Sequence, residues 1–205
     1  MIIPFVSEGR IGSHHGQDSF AWFCNPISDG YYLDLGCGDP VEGSNTFQLD
    51  RLGWRGICAD RFEKQHLWRV LHGRTSAFPC MHDGITSDNL NGLIKFCPNV
   101  IDYASFDMDE NNLLIVEHWP FAGRNIACFT FEHDRYALGD RLSTPSRQVF
   151  SKLGYDLLCE DVCCEPDKPF EDWWVMPFHC CDPDALELIR SKGKWHRDLL
   201  EIMRR

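Results

Sequence analysis

The sequence predicts an α/β fold with a seven-stranded, mostly parallel sheet, helices on both of its faces, and an antiparallel hairpin near the C-terminus. Short apolar runs alternate with helical patterns after residue 30, and this alternation is typical of successive βαβ units. The last two apolar runs instead follow one another with only an acidic, proline-containing loop between them. Because so short a connection suits antiparallel neighbours, we expect these two strands to form the hairpin.

The predicted strands are short apolar segments, most of which end at an acidic residue or a glycine turn. They span residues 31–35, 55–59, 76–80, 101–106, 125–131, 155–160 and 173–176. Helices are predicted at residues 44–52, 63–72, 87–96, 111–119, 144–153 and 182–205. The helix at 144–153 has the clearest ends, since Thr144 can cap it, Pro145 suits its first turn and Gly154 follows it.

Length and composition favour one globular domain over residues 1–205, with residues 1–30 as an N-terminal cap or lid and residues 182–205 as a C-terminal helix. The net charge of -11 disfavours a nucleic-acid partner, because an acidic surface repels a polyanion. No apolar run is long enough to span a membrane, and the N-terminus lacks the features of a signal peptide. We therefore expect a cytoplasmic protein without a membrane partner.

The chain has eleven cysteines, scattered along its length. In a cytoplasmic protein such residues are typically buried thiols that behave as small apolar side chains. Cys163-Cys164 and His179-Cys180-Cys181 are close enough in sequence to be considered as zinc ligands. Structural zinc sites usually space their ligands two to four residues apart, however, so we favour buried thiols.

The most informative segment is the glycine turn after the first predicted strand, residues 31–39 (YYLDLGCGD). Gly36 and Gly38 carry no Cβ, so backbone N–H groups can approach a ligand closely. The carboxylates of Asp34 and Asp39 disfavour a phosphate, which prefers basic residues and a helix N-terminus. A cationic or hydroxyl-rich ligand fits better, and S-adenosylmethionine is both.

Acidic residues also follow the other predicted strands. In open parallel sheets ligands bind beyond the carboxyl ends of the strands, so these residues should surround one site. Asp60 is placed to accept hydrogen bonds from the ribose hydroxyls of a nucleoside, and Asp83 to contact its adenine amino group. The fourth and fifth strands contribute Asp107, Asp109, Glu132 and His133. Singly, each acid is as readily a loop or helix-cap residue; together they suit a cationic nucleoside cofactor.

Several short motifs, in this order, resemble the FkbM-type S-adenosylmethionine-dependent methyltransferases. They are SHHGQD (13–18), YLDLGCGD (32–39), SNT (44–46), GWRGIC (53–58), IDY (101–103), DMD (107–109), EH (132–133) and EDW (171–173). The resemblance spans residues 12–175. It implies a class I (Rossmann-like) methyltransferase fold, S-adenosylmethionine as the cofactor, and methylation of a hydroxyl group on a sugar or another small acceptor.

The resemblance also implies which residues contact the cofactor. Asp34, Gly36 and Gly38 would line its methionine end, with Asn45 and Thr46 beside the turn. The expected cofactor contacts are thus Asp34, Gly36, Cys37, Gly38, Asn45, Thr46, Asp60 and Asp83. The chain departs from the family pattern where Asp60-Arg61 replaces the common Glu-Pro, and Pro40 stiffens the turn.

A hydroxyl acceptor needs a base to remove its proton during methyl transfer. His133 is our first candidate, because an imidazole titrates near neutral pH. Asp107 is the alternative, with Glu132 beside it. His14 and His15 precede the first strand and are candidates for a lid over the pocket, or equally for surface histidines.

A divalent cation is a second expectation at the same strand ends. Carboxylate oxygens with one imidazole suit Mg²⁺ or Mn²⁺. Such an ion would lower the pKa of the acceptor hydroxyl. The candidate ligands are Asp107, Asp109, Glu132 and His133.

Two other functions remain open at this point. One is an S-adenosylmethionine-binding or interaction module without activity, for which Asp60-Arg61 and Pro40 are the best support. The other is a nicotinamide-dependent oxidoreductase, which the absence of a third glycine in the turn disfavours. Several aromatic residues are candidates either for stacking on a sugar or for the core. They are Trp22, Phe23, Trp119, Phe121, Trp173 and Trp174.

Overall fold

A computed structural model of the protein describes residues 12–60, 85–118, 120–179 and 182–205. In chain order, its strands are β1 (Gly12–Ser13), β2 (Tyr31–Leu35), β3 (Glu42–Gly43), β4 (Arg55–Ala59), β5 (Val100–Phe106), β6 (Asn125–Glu132), β7 (Asp156–Glu165), β8 (Lys168–Val175) and β9 (Ser191–Lys192). The α-helices are α1 (Gln17–Cys24), α2 (Phe47–Arg51), α3 (Ser87–Ile94), α4 (Leu113–His118), α5 (Arg135–Leu138), α6 (Ser143–Lys152), α7 (Pro183–Ile189) and α8 (His196–Met203).

Seven of these strands form one sheet in the order β4-β2-β5-β6-β8-β7-β9. The strands from β4 to β6 are mutually parallel, and β8 is antiparallel to both β6 and β7. The predicted α/β class, the mostly parallel sheet and the C-terminal antiparallel hairpin are therefore confirmed. After β2, the chain adds β4 on one side of β2 and later adds β5 on its other side. This reversal opens a crevice at the carboxyl ends of β2 and β5, the usual ligand position in such sheets.

The strands β2 and β4 have the predicted bounds, whereas the end of the chain differs from the prediction. The single helix predicted at 182–205 is wrong, because α7 ends at Ile189 and β9 then joins the sheet beside β7. The N–H of Gly193 donates to the carbonyl of Glu160, which holds this return against the sheet before α8 begins. The strand predicted at 76–80 and the helix at 63–72 lie outside the described residues.

Alternation along the strands divides the core into two layers. Tyr32 and Trp173 face one layer, which contains α1, α2, α7 and α8. Leu33 and Trp174 face the other layer, which contains α3, α4 and α6. Phe20 stacks on Trp173 with ring centroids 4.7 Å apart. These layers also absorb most of the aromatic residues considered for sugar stacking, namely Phe23, Phe121, Trp173 and Trp174, while Trp22 packs at the edge of the core and Trp119 lies outside the described residues.

The described cysteines are free thiols, and all of them except the partly buried Cys164 are buried. Cys163 and Cys164 hydrogen-bond to different backbone carbonyls, those of Asp161 and Lys168. The pair Cys180-Cys181 lies outside the described residues. Across the parts of the chain that the structure describes, no helix combines the length and apolar character needed to cross a bilayer.

Candidate active site

The glycine turn after β2 is held directly against the end of β5. Gly36 has a φ of +85°, and a Cβ placed on it would lie 1.6 Å from the carbonyl oxygen of Asp107, so only glycine fits here. The N–H of Gly36 donates to the carbonyl of Ala59 at the end of β4. The turn is thereby joined to both neighbouring strands, and its backbone position is fixed by the sheet.

Gly38 and Asp60 meet on the open side of this turn. The N–H of Gly38 donates to Oδ2 of Asp60 over 2.6 Å. A Cβ added to Gly38 would have no atom within 4 Å among the described residues. The predicted turn and the predicted ribose-binding acid are thus neighbours. Asp83 lies outside the described residues.

Four other predicted cofactor residues lie beneath the turn. The fully buried carboxylate of Asp34 accepts a hydrogen bond from Oγ1 of Thr46 over 2.9 Å. Asn45 donates from Nδ2 to Oγ of Ser105 on β5, also over 2.9 Å. Cys37 is buried against Cys58, and burial raises the pKa of its thiol. These contacts fix the start of α2 and the turn against the sheet.

A cavity of about 170 Å³ opens beside the turn, at the carboxyl ends of the strands. Asn45, Asp107 and Glu132 were predicted for this site, and His14 and His15 were candidates for its lid; all five line the cavity. Six further lining residues were not predicted: Gln17, Gly43, Asp134, Tyr136, Cys164 and Phe170. Tyr136 and Phe170 supply the aromatic wall that the sequence assigned to other residues.

The cavity wall is acidic and has no lysine or arginine among its described lining residues. The carboxyl groups of Asp107 and Glu132 are within hydrogen-bonding reach of each other, and burial raises the pKa of both. Burial likewise raises the pKa of Asp134. Behind Gln17, the fully buried Glu171 accepts hydrogen bonds from Gln17 and Trp173, and burial raises its pKa to about 8. Glu132 and Glu171 therefore favour the neutral, protonated form.

His133 does not reach this cavity. Its imidazole is completely buried on the opposite face, with Nε2 3.3 Å from Asp172 and 3.7 Å from Asp161. Nδ1 accepts a hydrogen bond from the N–H of Arg135. Since successive side chains of a strand point to opposite faces, the position of Glu132 in the cavity directs its neighbour His133 away from it. The structure thus separates the first candidate base from the site.

A guanidinium completes this buried group. Arg147 of α6 donates to Asp172 over 2.7 Å and to Asp161 over 2.6 Å. Burial acts to raise the pKa of Asp172, but His133 and Arg147 outweigh it and hold that pKa below its ordinary value. We call His133, Arg147, Asp161 and Asp172 the charge network.

The four predicted metal ligands do not converge. Asp109 is exposed and His133 belongs to the charge network, which leaves only Asp107 and Glu132 together. Within the described ranges, the ligand atoms that do gather are those of His133, Asp161 and Asp172. The guanidinium of Arg147 already supplies the positive charge between these carboxylates. The residues present therefore do not fit the predicted divalent cation.

Comparison with known proteins places this geometry in a recognised fold. An O-methyltransferase from Bacillus cereus, in complex with SAH, superposes with a TM-score of 0.51 at 18% identity, over 78% of this chain and 80% of that one. Cofactor-bound Rv0187 from MTB superposes with a TM-score of 0.52 at 14% identity, over 84% of this chain and 82% of that one. The chain has the class I methyltransferase fold. No protein-family model and no curated protein matches the sequence.

Within this fold, the residues missed from the sequence come from two places. Gln17 belongs to the motif SHHGQD, which contributes to the family resemblance but does not by itself indicate a role for Gln17. Phe170 and Cys164 come from the hairpin of β7 and β8, which folds back over the end of β6. The N–H groups of His133 and Asp134 both donate to the carbonyl of Phe170, and this pairing carries Phe170 to the cavity.

Proposed function

We propose that this protein is an S-adenosylmethionine-dependent methyltransferase that methylates a hydroxyl group on a small acceptor, as the resemblance to the FkbM-type family implies. The observation that carries the proposal is the glycine turn at Gly36 and Gly38, with Asp60 on its open side and an acidic cavity next to it. Structures with the same fold that contain SAH or a cofactor add support.

The described residues fit the cofactor. No described atom lies within 4 Å of the position of a Cβ on Gly38, so no described side chain blocks a ligand from this backbone. The carboxylate of Asp60 is an acceptor for hydroxyl groups. Asp34, Thr46 and Cys37 act from beneath by fixing the turn, and Asp83 stays a predicted adenine contact. When bound, the cofactor supplies a methyl group on a positively charged sulfur, which suits a cavity without lysine or arginine.

The acceptor half of the site is the part of the cavity bounded by Tyr136, Phe170 and His15. An anionic acceptor is disfavoured there because no described lysine or arginine lines the wall to pair with its charge. We therefore favour a neutral acceptor such as a sugar or a natural-product alcohol. The aromatic rings would pack on its apolar face.

Calorimetric titration with S-adenosylmethionine tests the cofactor assignment. We expect the wild type to bind and Gly36→Ala to lose at least tenfold in affinity, because the new methyl group would collide with the carbonyl of Asp107. Gly92→Ala in α3 is the matched control, since its added Cβ meets no described atom within 4 Å. It should bind like the wild type and be slightly more stable.

Release of S-adenosylhomocysteine in the presence of glucose, rhamnose or catechol then tests turnover. Formation of a methylated product supports the proposal. Binding without any product would favour the alternative of an inactive S-adenosylmethionine-binding module. Failure of the wild type to bind S-adenosylmethionine would overturn the methyltransferase assignment altogether.

A further inference from the structure

The segment Ser13–Asp18 forms a tight turn in front of α1 that leads directly into the cavity. The buried carboxylate of Asp18 accepts hydrogen bonds from Oγ of Ser13, over 2.6 Å, and from the N–H of Ser13, over 3.2 Å. Oγ of Ser13 in turn accepts from the N–H of Gly16. Gly16 has a φ of +89°, and a Cβ there would lie 2.8 Å from the side chain of Leu200. Ser13, Gly16 and Asp18 therefore have structural roles in this turn.

The remaining polar residue, Gln17, is also engaged, since it accepts from the N–H of His15 and donates to Glu171. This leaves the two imidazoles of His14 and His15, which both line the cavity. His14 is exposed, whereas His15 is partly buried. In the described part of the chain, the ring nitrogens of His15 have no hydrogen-bond partner, so its lone pair is available to a bound molecule.

Aromatic rings hold the imidazole of His15 in place. Its centroid lies 4.6 Å from that of Phe170 and 4.9 Å from that of His196, which meets it edge to face. His196 is itself buried, and its Nδ1 lies 3.1 Å from the carbonyl of Cys163. The imidazole of His15 thus has a fixed position on the acceptor side of the cavity.

The imidazole of His15 is in the form that can accept a proton. Burial, with contributions from His196 and His14, lowers the pKa of His15 to about 4, so the ring is neutral at pH 7. Glu132 instead favours its protonated form, because burial and the contact with Asp107 raise its pKa. A protonated carboxyl donates a hydrogen bond and cannot take a proton, whereas a neutral imidazole can.

We propose that His15 is the general base that accepts the proton of the acceptor hydroxyl. This inference rests on the proposed methyltransferase function. In the step, the acceptor oxygen forms a bond to the methyl carbon, the carbon–sulfur bond breaks with its electron pair staying on sulfur, and the hydroxyl proton passes to a ring nitrogen of His15. The proton then leaves to solvent, and the neutral imidazole is restored.

The first test needs no turnover. Diethyl pyrocarbonate modifies neutral, accessible imidazoles, so treatment at pH 6 followed by peptide mass mapping should label His15. The completely buried His133 serves as the internal comparison and should stay unlabelled. If His15 resists the reagent as His133 does, the cavity does not present a free imidazole and the proposal fails.

The second test compares His15→Gln with His118→Gln, which removes a half-exposed imidazole that does not line the cavity. With S-adenosylmethionine and the hydroxyl probes glucose, rhamnose and catechol, we expect His15→Gln to lose about 10²-fold or more in kcat. Its affinity for S-adenosylmethionine should not change. His118→Gln should behave as the wild type in both measurements. Added imidazole should restore part of the turnover of His15→Ala, because it replaces the missing base.

The outcomes separate this proposal from the function on which it rests. A wild type that binds the cofactor but methylates none of the probes removes the support for both. An active wild type with an equally active His15→Gln overturns only the role of His15. A loss of turnover that imidazole does not restore, or that is matched by lost cofactor affinity, would assign His15 a structural role instead.

Discussion

The cavity and the charge network lie on opposite faces of the same two strands, and their acids behave in opposite ways. Glu132 and Glu171 face the cavity side and are directly paired across β6 and β8. Their sequence neighbours His133 and Asp172 face the other side, where Asp172 pairs with both His133 and Arg147. Burial raises the pKa of the two glutamates, whereas the pKa of Asp172 is lowered. The difference shows that a nearby cation, rather than depth of burial, decides whether a buried acid is ionised here.

Removal of the Arg147 guanidinium should have the largest effect on stability. Arg147→Met would leave Asp172 buried without its bidentate partner, and we expect a loss of about 3–5 kcal/mol in the free energy of unfolding. Urea denaturation measures it. Arg141→Met is the matched control, because Arg141 pairs with Glu110 at the surface and should contribute less than about 1 kcal/mol. Equal losses in the two variants would contradict the importance of the charge network.

The pH dependence of the free energy of unfolding should reveal the raised pKa of Glu171 on the cavity side of the sheet. Burial raises the pKa of Glu171 from its ordinary 4.5 to about 8, so between these values the unfolded chain releases a proton that the folded protein keeps. Stability due to this group is therefore fully present below about pH 4.5 and falls as the pH rises towards 8. The steepest slope for one carboxyl is about 1.4 kcal/mol per pH unit.

Glu171→Gln should flatten this slope, as measured by urea denaturation at a series of pH values. Glu201→Gln replaces an exposed glutamate of α8 and should keep the wild-type slope. A Glu171→Gln protein with an unchanged slope would mean that Glu171 ionises normally inside the fold.

The smallest effect is expected at Glu132. Because its carboxyl favours the protonated form, an amide of nearly the same shape should replace it with a change below about 1 kcal/mol in unfolding free energy. Asp172→Asn makes the same chemical change on the other face, where it removes the charge opposite Arg147 and His133. It should cost clearly more, and a reversed order of the two losses would overturn the assigned charge states.

The sequence predicted those parts of the fold that local patterns control. The strands β2 and β4 have the expected bounds, because each is an apolar run closed by a glycine or an acidic residue. The end of the chain was wrong because β9 depends on pairing with β7, a contact about thirty residues distant in sequence that no local signal announces.

The sequence predicted which strand ends contribute residues to the candidate site, but not the face of the sheet on which each side chain lies. Asp107 and Glu132 reach the cavity because both follow strand ends, whereas His133 is displaced by one residue to the opposite face. The face could not be inferred, since it depends on how β6 pairs with the distant hairpin that supplies Asp172 and Phe170. The sequence indicates His15 only as a lid residue or a surface histidine. Its lack of a hydrogen-bond partner among the described residues becomes clear only when the structure shows the contacts of Ser13, Gly16, Gln17 and Asp18.

The short pairing of β1 with β3 joins two segments that lie about thirty residues apart in the sequence. Gly12 and Ser13 are in register with Glu42 and Gly43, so the segment that carries His15 is joined to the loop that follows the glycine turn. Gly43 also packs so closely on the ring of His14 that an added Cβ would approach it to 2.7 Å. Mutations or insertions in this loop should therefore shift the positions of His14 and His15, although the loop is distant from them in sequence. A redesign of the protein would have to change both segments together.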